Sequence, residues 1–149
     1  MAKFSGNVRS LTAADKEAWE PLWAGYLEFY NVTLAADVSE LTFARLLDPA
    51  EPMFCFVAEV NGRVIGIVHC VLHRSTRTQG PYLYLQDLFV ADDVRGSGAG
   101  RALIEEVYAR ADELGATRVY WLTHESNATA RLLYDRVAER SGIIQYRRR

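Results

Sequence analysis

A buried strand that runs into a glycine-rich turn and then into a helix is the feature of this sequence that most constrains its fold. Residues 82–90 (YLYLQDLFV) form an apolar run typical of a central strand, and a helical pattern covers about 98–114, where Gly115 ends it. A further strand is predicted at 118–123 (RVYWLT). This strand–helix–strand order predicts an α/β chain with a mixed sheet and helices packed on it.

The segment before the glycine-rich turn predicts a β-hairpin in the same sheet. Residues 53–60 and 63–73 are rich in β-branched and aromatic side chains, and Asn61-Gly62 between them is a strong two-residue turn. In the N-terminal half, the other predicted elements are a first strand at 4–10, a helix that starts at a Thr12–Asp15 capping box and is kinked or divided at Pro21, and a helix that is capped by Ser39 and ends at Leu47. In the C-terminal half, they are a helix over about 127–140 and a short last strand at 143–147.

The composition is that of an ordinary domain. The chain has 149 residues, of which 50% are hydrophobic and 24% charged, so one domain over residues 1–149 is expected. No run approaches the ~20 apolar residues of a membrane span, and the first ten residues lack the apolar core of a signal peptide, so we expect a cytoplasmic protein with no membrane partner. Cys55 and Cys70 lie in apolar strands without ligand-spaced partners, which predicts inert thiols and no metal site.

The charges are unevenly distributed along the chain. Residues 11–60 carry nine acidic and two basic residues, whereas residues 61–149 carry ten acidic residues and thirteen arginines. This division suits a cationic substrate and an anionic cofactor, but a solvated surface with a chance asymmetry explains it as well. A nucleic-acid partner is not expected, because that would require a concentrated basic face.

The glycines of the turn predict an anion site. Glycine lets backbone amides approach an anion with no Cβ in the way, and the first turn of the following helix leaves N–H groups unpaired. A Walker A loop would require a lysine, and the sixth position of a dinucleotide fingerprint counted from Gly96 is Arg101, which is not small. The residues of the predicted pyrophosphate-sized site are Arg95, Gly96, Ser97, Gly98, Ala99, Gly100 and Arg101.

The stretch from Arg95 to Gly100 resembles the R/Q-x-x-G-x-G/A motif of the GNAT superfamily of acyl-CoA-dependent N-acetyltransferases. The preceding strand, the following helix and strand, and Asn127 with Tyr134 seven residues later have the same order and spacing. The resemblance covers residues 53–140 well, and the segment YLQDLFVADDVRGSGAG is most similar to the diamine (spermidine/spermine) acetyltransferases. It implies a single α/β (α+β) domain whose mixed sheet is splayed between the fourth and fifth strands, with the acyl-CoA in the gap.

The resemblance also implies cofactor contacts. The backbone of Leu88, Phe89 and Val90 would hydrogen-bond the pantetheine arm and the acetyl carbonyl, although a central strand alone explains their apolar side chains. Asn127 would contact the pantetheine, or it is a plain helix N-cap, and both roles are compatible. Ala130 would leave room for the cofactor, or it reflects ordinary helix propensity.

Acetyl transfer needs an acid that protonates the departing thiolate and a base that deprotonates the acceptor ammonium, since only the free amine can attack. Tyr134 is the predicted acid, because a phenol's pKa of about 10 is close to that of a thiol; the alternative is a core tyrosine. The base is not identified. Diamine acetyltransferases have a glutamate where Gln86 stands, so that role does not carry over. The open candidates for the base are Asp87, Glu28, His124 and Glu125, while His69 and His73 are expected to be structural or surface groups.

The aromatic helix between Trp19 and Tyr30 has two interpretations. It is the buried face of a helix, or Tyr26, Glu28 and Tyr30 meet the acceptor amine together with Gln86, with cation–π support from the rings. The sequence therefore predicts direct transfer of acetyl from acetyl-CoA to a primary amine of a small molecule, without an acyl-enzyme. A protein-lysine acetyltransferase and a non-catalytic acyl-CoA-binding module are the alternatives, and family analogy favours a homodimer.

Overall fold

A five-stranded mixed sheet with two helices on each face forms the framework of the molecule. The computed structural model describes residues 3–149. The strands are arranged in the order β1-β2-β3-β4-β5, and all neighbours are antiparallel except the parallel pair β4 and β5. The elements are β1 (Asn7–Ser10), α1 (Lys16–Phe29), α2 (Ala36–Leu47), β2 (Met53–Val60), β3 (Arg63–His73), β4 (Tyr82–Val90), α3 (Ala99–Glu113), β5 (Arg118–Tyr120) and α4 (Ala128–Val137).

The predicted hairpin between β2 and β3 is confirmed. Asn61 and Gly62 both have positive φ, at 50° and 79°, as a type I′ turn requires. The predicted capping box before α1 is also confirmed, because the Asp15 carboxylate accepts a hydrogen bond from the Thr12 N–H at 2.7 Å.

Each face of the sheet carries its own apolar core. The α3-side core lies under α3 and α4, and the α1-side core lies under α1 and α2. The α3-side core includes Phe56, Ile65, Val68, Leu83, Leu85, Leu103, Ile104 and Val107. The α1-side core includes Leu11, Trp19, Leu22, Trp23, Phe43, Leu46, Val57 and Ile67.

The sheet opens between β4 and β5, as predicted. The two strands pair only where Tyr82–Tyr84 meet Arg118–Tyr120. In the described part of the chain, Gln86–Val90 of β4 has no partner in β5, so one backbone edge of β4 faces the gap. This opening is where a ligand can reach a free strand edge inside the fold.

A β-bulge in β4 changes which side chains face which core. His69 of β3 pairs with Asp87 and the next residue, Cys70, pairs with Leu85, so Gln86 is the extra residue. Leu85 and Leu88 both face the α3-side core because of this insertion. Asp87 therefore lies on the α1 side of the sheet, whereas strict alternation would have placed it beside Leu85.

Three predicted element boundaries in the N-terminal half are wrong. β1 begins at Asn7 rather than at residue 4. The alternative in which Pro21 divides the helix is also wrong: α1 continues through Pro21, and the carbonyl that this proline leaves unpaired belongs to the exposed Glu17 and can bind water. α2 begins at Ala36 and not after Ser39, whose hydroxyl instead accepts a hydrogen bond from Trp23 Nε1 at 3.0 Å.

The predicted C-terminal elements are too long. β5 ends at Tyr120 and α4 spans Ala128–Val137. The predicted last strand at 143–147 is wrong: this stretch of the described chain is not paired with the sheet, and Ile143 and Ile144 are 79% and 73% exposed. β-branched residues favour a strand only when a neighbouring strand completes the ladder.

Two further predictions concern the core and the membrane. Cys55 and Cys70 are free and buried, as predicted, and burial raises the pKa of both thiols. Within residues 3–149, the helices are too short or too polar to cross a bilayer.

Candidate active site

The glycine-rich turn after β4 leaves the first amides of α3 open. Gly96 and Gly98 have φ of 84° and 89°, a region that favours glycine. Gly98 is the N-cap of α3, no side chain caps the helix, and its first turn contains no acidic residue. The unpaired N–H groups and the helix dipole therefore suit an anion.

The side chains around this turn differ in their availability. Arg95 folds back onto β4: its Nε donates to the Val90 carbonyl at 3.2 Å, and its guanidinium lies 5.2 Å from the Phe89 ring centroid. Its Nη1 also lies 2.7 Å from an Asp92 carboxylate oxygen. Arg101 makes only a longer contact of 3.6 Å with Glu105 and stays the more available cation.

Two small residues of the turn have different surroundings. Ser97 lines a cavity together with Phe4, Val60 and Ile65, and its hydroxyl is buried without a hydrogen-bond partner. At Gly100 an added Cβ would meet Leu133 Cδ2 at 3.4 Å, which is ordinary van der Waals contact. The protein itself therefore has room for a side chain at residue 100, and Ala99 beside it is buried.

The edge of β4 continues from the glycine-rich turn into the gap. Leu88 and Val90 turn their side chains toward the α3-side core and Phe89 toward the α1-side core. All three pair with β3 on one side, and their other backbone edge faces the opening. The residues implied for pantetheine binding thus share one accessible strand edge.

Asn127 and the two tyrosines Tyr30 and Tyr134 come together from opposite sides of the gap. The Asn127 side chain does not cap α4, and its Nδ2 lies 3.4 Å from the Tyr30 hydroxyl and 3.3 Å from Thr123 Oγ1. Burial, with a smaller effect of Tyr30, raises the pKa of Tyr134 to about 12, so its phenol keeps its proton at neutral pH. Ala130, one turn before Tyr134, is partly buried on α4.

Asp87 lies at the bulge on the α1 side, held by a buried histidine. His69 Nδ1 is 3.0 Å from Asp87 Oδ2, and Trp19 Nε1 is 3.0 Å from His69 Nε2. His69 is 3% exposed. The hydroxyl of Tyr26 stands above the bulge, 3.5 Å from the Gln86 carbonyl, and burial together with the Asp87 carboxylate raises the pKa of Tyr26.

The candidate residues for acceptor binding and for the base are not all brought together. Tyr26 and Tyr30 face the site, with ring centroids 4.9 Å apart, and the Gln86 side chain is exposed at the bulge. Glu28 is exposed and lies about half a helical turn from Tyr26, on the other side of α1.

The two loop candidates differ in the same way. The His124 ring lies 5.7 Å from that of Tyr30, near the gap. Glu125 contacts Arg140 at 3.4 Å, toward the C-terminal tail. The contacts that join Trp19 and His69 to Asp87 were not predicted, because they depend on how α1 docks onto β3 and not on a local sequence pattern.

Comparison with known proteins identifies the family to which the chain belongs. Residues 16–138 match the Acetyltransferase (GNAT) family model. The chain is 38% identical over 143 residues to the D-amino-acid N-acetyltransferase HPA3 of Saccharomyces cerevisiae, covering 95% of this chain and 89% of the relative. It is 30% identical over 142 residues to the uncharacterized N-acetyltransferase YhfO of Bacillus subtilis, covering 94% and 95%.

Solved structures share the fold at lower identity. The aminoglycoside acetyltransferase AAC(6')-Iy, solved with a bisubstrate analogue, superposes with a TM-score of 0.83 at 20% identity over 97% of this chain and 98% of that one. A ribosomal-protein-alanine N-acetyltransferase from Brucella melitensis biovar Abortus gives 0.79 at 22% identity over 96% and 99%. The predicted similarity to diamine acetyltransferases stays a prediction, and the predicted fold is confirmed. The chain belongs to the GNAT family and is an N-acetyltransferase.

Proposed function

We propose that this enzyme acetylates the primary amine of a small amino acid, using acetyl-CoA as the donor. The observation that carries the proposal is the position of Asp87, a carboxylate that is 13% exposed at the bulge of β4 on the face away from the glycine-rich turn. A carboxylate there attracts an ammonium group and can take its proton. The glycine-rich turn, with residues 95–101, is the proposed site of the CoA pyrophosphate.

The proposed reaction is a direct transfer. The acceptor ammonium gives a proton to Asp87, directly or through water, and the free amine nitrogen attacks the thioester carbonyl carbon. The carbon–sulfur bond then breaks, and Tyr134 gives its proton to the departing thiolate. The nitrogen loses its second proton to solvent. Asp87 then releases the proton that it took and Tyr134 regains one, both by exchange with solvent, so one proton is released per turnover. Leu88, Phe89 and Val90 supply the strand edge that holds the donor, together with Asn127 and Ala130.

Among the open candidates for the base, the contacts favour Asp87. It is partly buried, His69 is hydrogen-bonded to its Oδ2, and the carboxylate lies near the Tyr26 hydroxyl at the bulge. Glu28 is on the wrong side of α1, and Glu125 contacts Arg140. His124 is exposed and lies beside Tyr30, where it suits the acceptor's own carboxylate better than the reacting amine.

An amino acid fits this site better than a polyamine. A polyamine carries several ammonium groups and calls for a second anionic position, but the residue at the bulge is the neutral Gln86 and Glu28 points elsewhere. The relative from Saccharomyces cerevisiae is named a D-amino-acid N-acetyltransferase, and its 38% identity over most of both chains supports the same acceptor class. Tyr26 and Tyr30 would border the acceptor's side chain.

An acceptor panel with Asp87→Asn as the matched variant tests the proposal. Thiol release and product mass would be followed with D-amino acids, L-amino acids, spermidine and a lysine peptide. We expect turnover with free amino acids, and a loss of about 100-fold in kcat for Asp87→Asn with unchanged CoA affinity. Preference for spermidine or the peptide would overturn the acceptor class. Full activity of Asp87→Asn would overturn its role. CoA binding without turnover of any acceptor in the panel would also overturn the proposed amino-acid acceptor.

The homodimer expected from family analogy also stays a proposal. It is tested by light scattering coupled to size-exclusion chromatography, in which a monomer mass across the working concentration range would contradict it.

A further inference from the structure

A histidine buried on the α1 side of the sheet carries this inference. The His69 ring packs beside the stacked rings of Trp19 and Trp23, with ring centroids 5.9 and 5.0 Å away. A polar ring in such surroundings is costly unless both nitrogens are hydrogen-bonded. Both are: Nε2 faces the Trp19 indole and Nδ1 faces Asp87, each at 3.0 Å.

The partners of His69 determine where its proton lies. An indole N–H can only donate, so Nε2 must be the accepting nitrogen. The ring is then neutral with its proton on Nδ1, and that N–H donates to Asp87 Oδ2. The opposite tautomer would turn a lone pair toward the carboxylate and set two N–H groups against each other at Trp19.

We propose that Trp19 and His69 are positioning residues that fix the orientation of the Asp87 carboxylate toward the acceptor amine. Trp19 selects the tautomer, and His69 then binds Oδ2, which leaves Oδ1 as the oxygen that receives the proton. This inference rests on the proposed function of Asp87. The inference extends the proposed function because it assigns a positioning role to two core residues that contact neither substrate.

The location of Asp87 explains why positioning is needed. It directly follows the bulged residue Gln86, where the regular ladder is interrupted and the strand direction changes. A carboxylate held only by its own torsion angles would sample several orientations there. The bond from the buried His69 ties it to the adjacent strand β3, at the residue with which Asp87 pairs.

Substitutions at His69 separate positioning from packing. In His69→Asn the amide nitrogen can occupy the place of Nδ1 and donate to Asp87, whereas His69→Leu fills similar space without a donor. We expect kcat to fall at least tenfold in His69→Leu and to recover most of that loss in His69→Asn, with CoA affinity unchanged in both. Equal kcat in the two variants, at equal unfolding stability, would overturn the positioning role.

The tautomer has its own measurement, which does not depend on activity. Long-range proton–nitrogen NMR spectra of the folded enzyme would show a protonated Nδ1 and a bare Nε2 in His69. Trp19→Phe keeps an aromatic ring but removes the donor, so we expect mixed tautomers and a several-fold lower kcat. A proton on Nε2 in the wild-type enzyme would overturn the proposal. If His69→Leu does not fold, this spectrum still tests whether His69 Nδ1 carries the proton that it donates to Asp87.

The outcomes distinguish this inference from the proposed function. A large loss of kcat in Asp87→Asn, combined with normal kcat in His69→Leu and Trp19→Phe, retains Asp87 as the proton acceptor and rejects the positioning residues. Normal kcat in Asp87→Asn rejects the proposed function and, with it, the positioning role.

Discussion

Gly25 of α1 lies directly against the ring of Phe89 in β4. A Cβ carbon on residue 25 would stand 2.8 Å from Phe89 Cζ and 2.9 Å from Cε2, closer than carbon atoms pack. This contact brings α1 close to the sheet beside the gap between β4 and β5. The tyrosines at 26 and 30 reach the site because the helix can approach this far.

The Gly25→Ala substitution is therefore expected to destabilise the fold. At an open helix position alanine is about 1 kcal/mol more favourable than glycine, but here the added methyl must displace the Phe89 ring. We expect a net loss of about 1–3 kcal/mol, measured by urea unfolding. Ala24→Ser on the exposed side of α1 is the control and should change stability little. A more stable Gly25→Ala variant would contradict the close contact.

Gly98→Val tests the anion site. A branched side chain at residue 98 would keep the backbone amides of the turn from approaching a phosphate, and the φ of 89° makes the substitution strained as well. We expect CoA affinity measured by calorimetry to fall about tenfold, or about 1.4 kcal/mol, in the folded variant. Gly100→Ala is the control, because its methyl meets Leu133 at an ordinary 3.4 Å and the motif accepts alanine there, so unfolding stability and CoA affinity should both be kept. Unchanged CoA affinity in folded Gly98→Val would contradict the anion site.

Tyr134→Phe removes the proposed acid and keeps the ring that packs edge-on against Trp121 at 5.4 Å. We expect kcat to fall about 100-fold, at the lower end of general acid catalysis, with CoA affinity unchanged because only a transition-state interaction is lost. Because the pKa of Tyr134 is raised to about 12, the wild-type phenol stays protonated at every pH below about 11. In that pH range, ionisation of Tyr134 should therefore not lower kcat. Near-normal kcat in the variant, with chemistry rate-limiting, would assign the hydroxyl a structural role.

The Arg9–Asp15 pair predicts a loss of stability in acid. Arg9 binds the buried Asp15 carboxylate through two bonds of 2.8 and 2.9 Å and lowers the pKa of Asp15 from 3.8 to about 2. A lowered pKa stabilises the fold above pH 4, and this contribution of about 2 kcal/mol is lost as the pH falls from 4 to 2.

Urea unfolding between pH 2 and 6 measures this effect. Asp15→Asn should be less stable than the wild type at pH 6, and the difference should shrink toward pH 2. Glu40→Gln is the control, because its exposed contact with Lys16 at 3.4 Å is worth little. A pH-independent difference between Asp15→Asn and the wild type would contradict the shifted pKa.

Local chemistry in the sequence was sufficient for the parts of the fold that form from neighbouring residues. The Asn61-Gly62 turn predicts its own hairpin, because two residues with positive φ match the twist of the flanking strands. The glycines at 96 and 98 predict the turn before α3, because few other residues adopt that backbone conformation. These elements were predictable because their cause lies within a few residues.

Only the tertiary structure decided what depends on partners far along the chain. The bulge at Gln86 is a property of the β3–β4 register, and it moves Asp87 to the other face of the sheet. Residues 143–147 have a strand-like sequence yet form no strand in the described chain, since they pair with no neighbour. The Trp19–His69–Asp87 contacts join residues up to 68 positions apart, from α1, β3 and β4. Their geometry follows from helix docking and strand register, which no local pattern encodes.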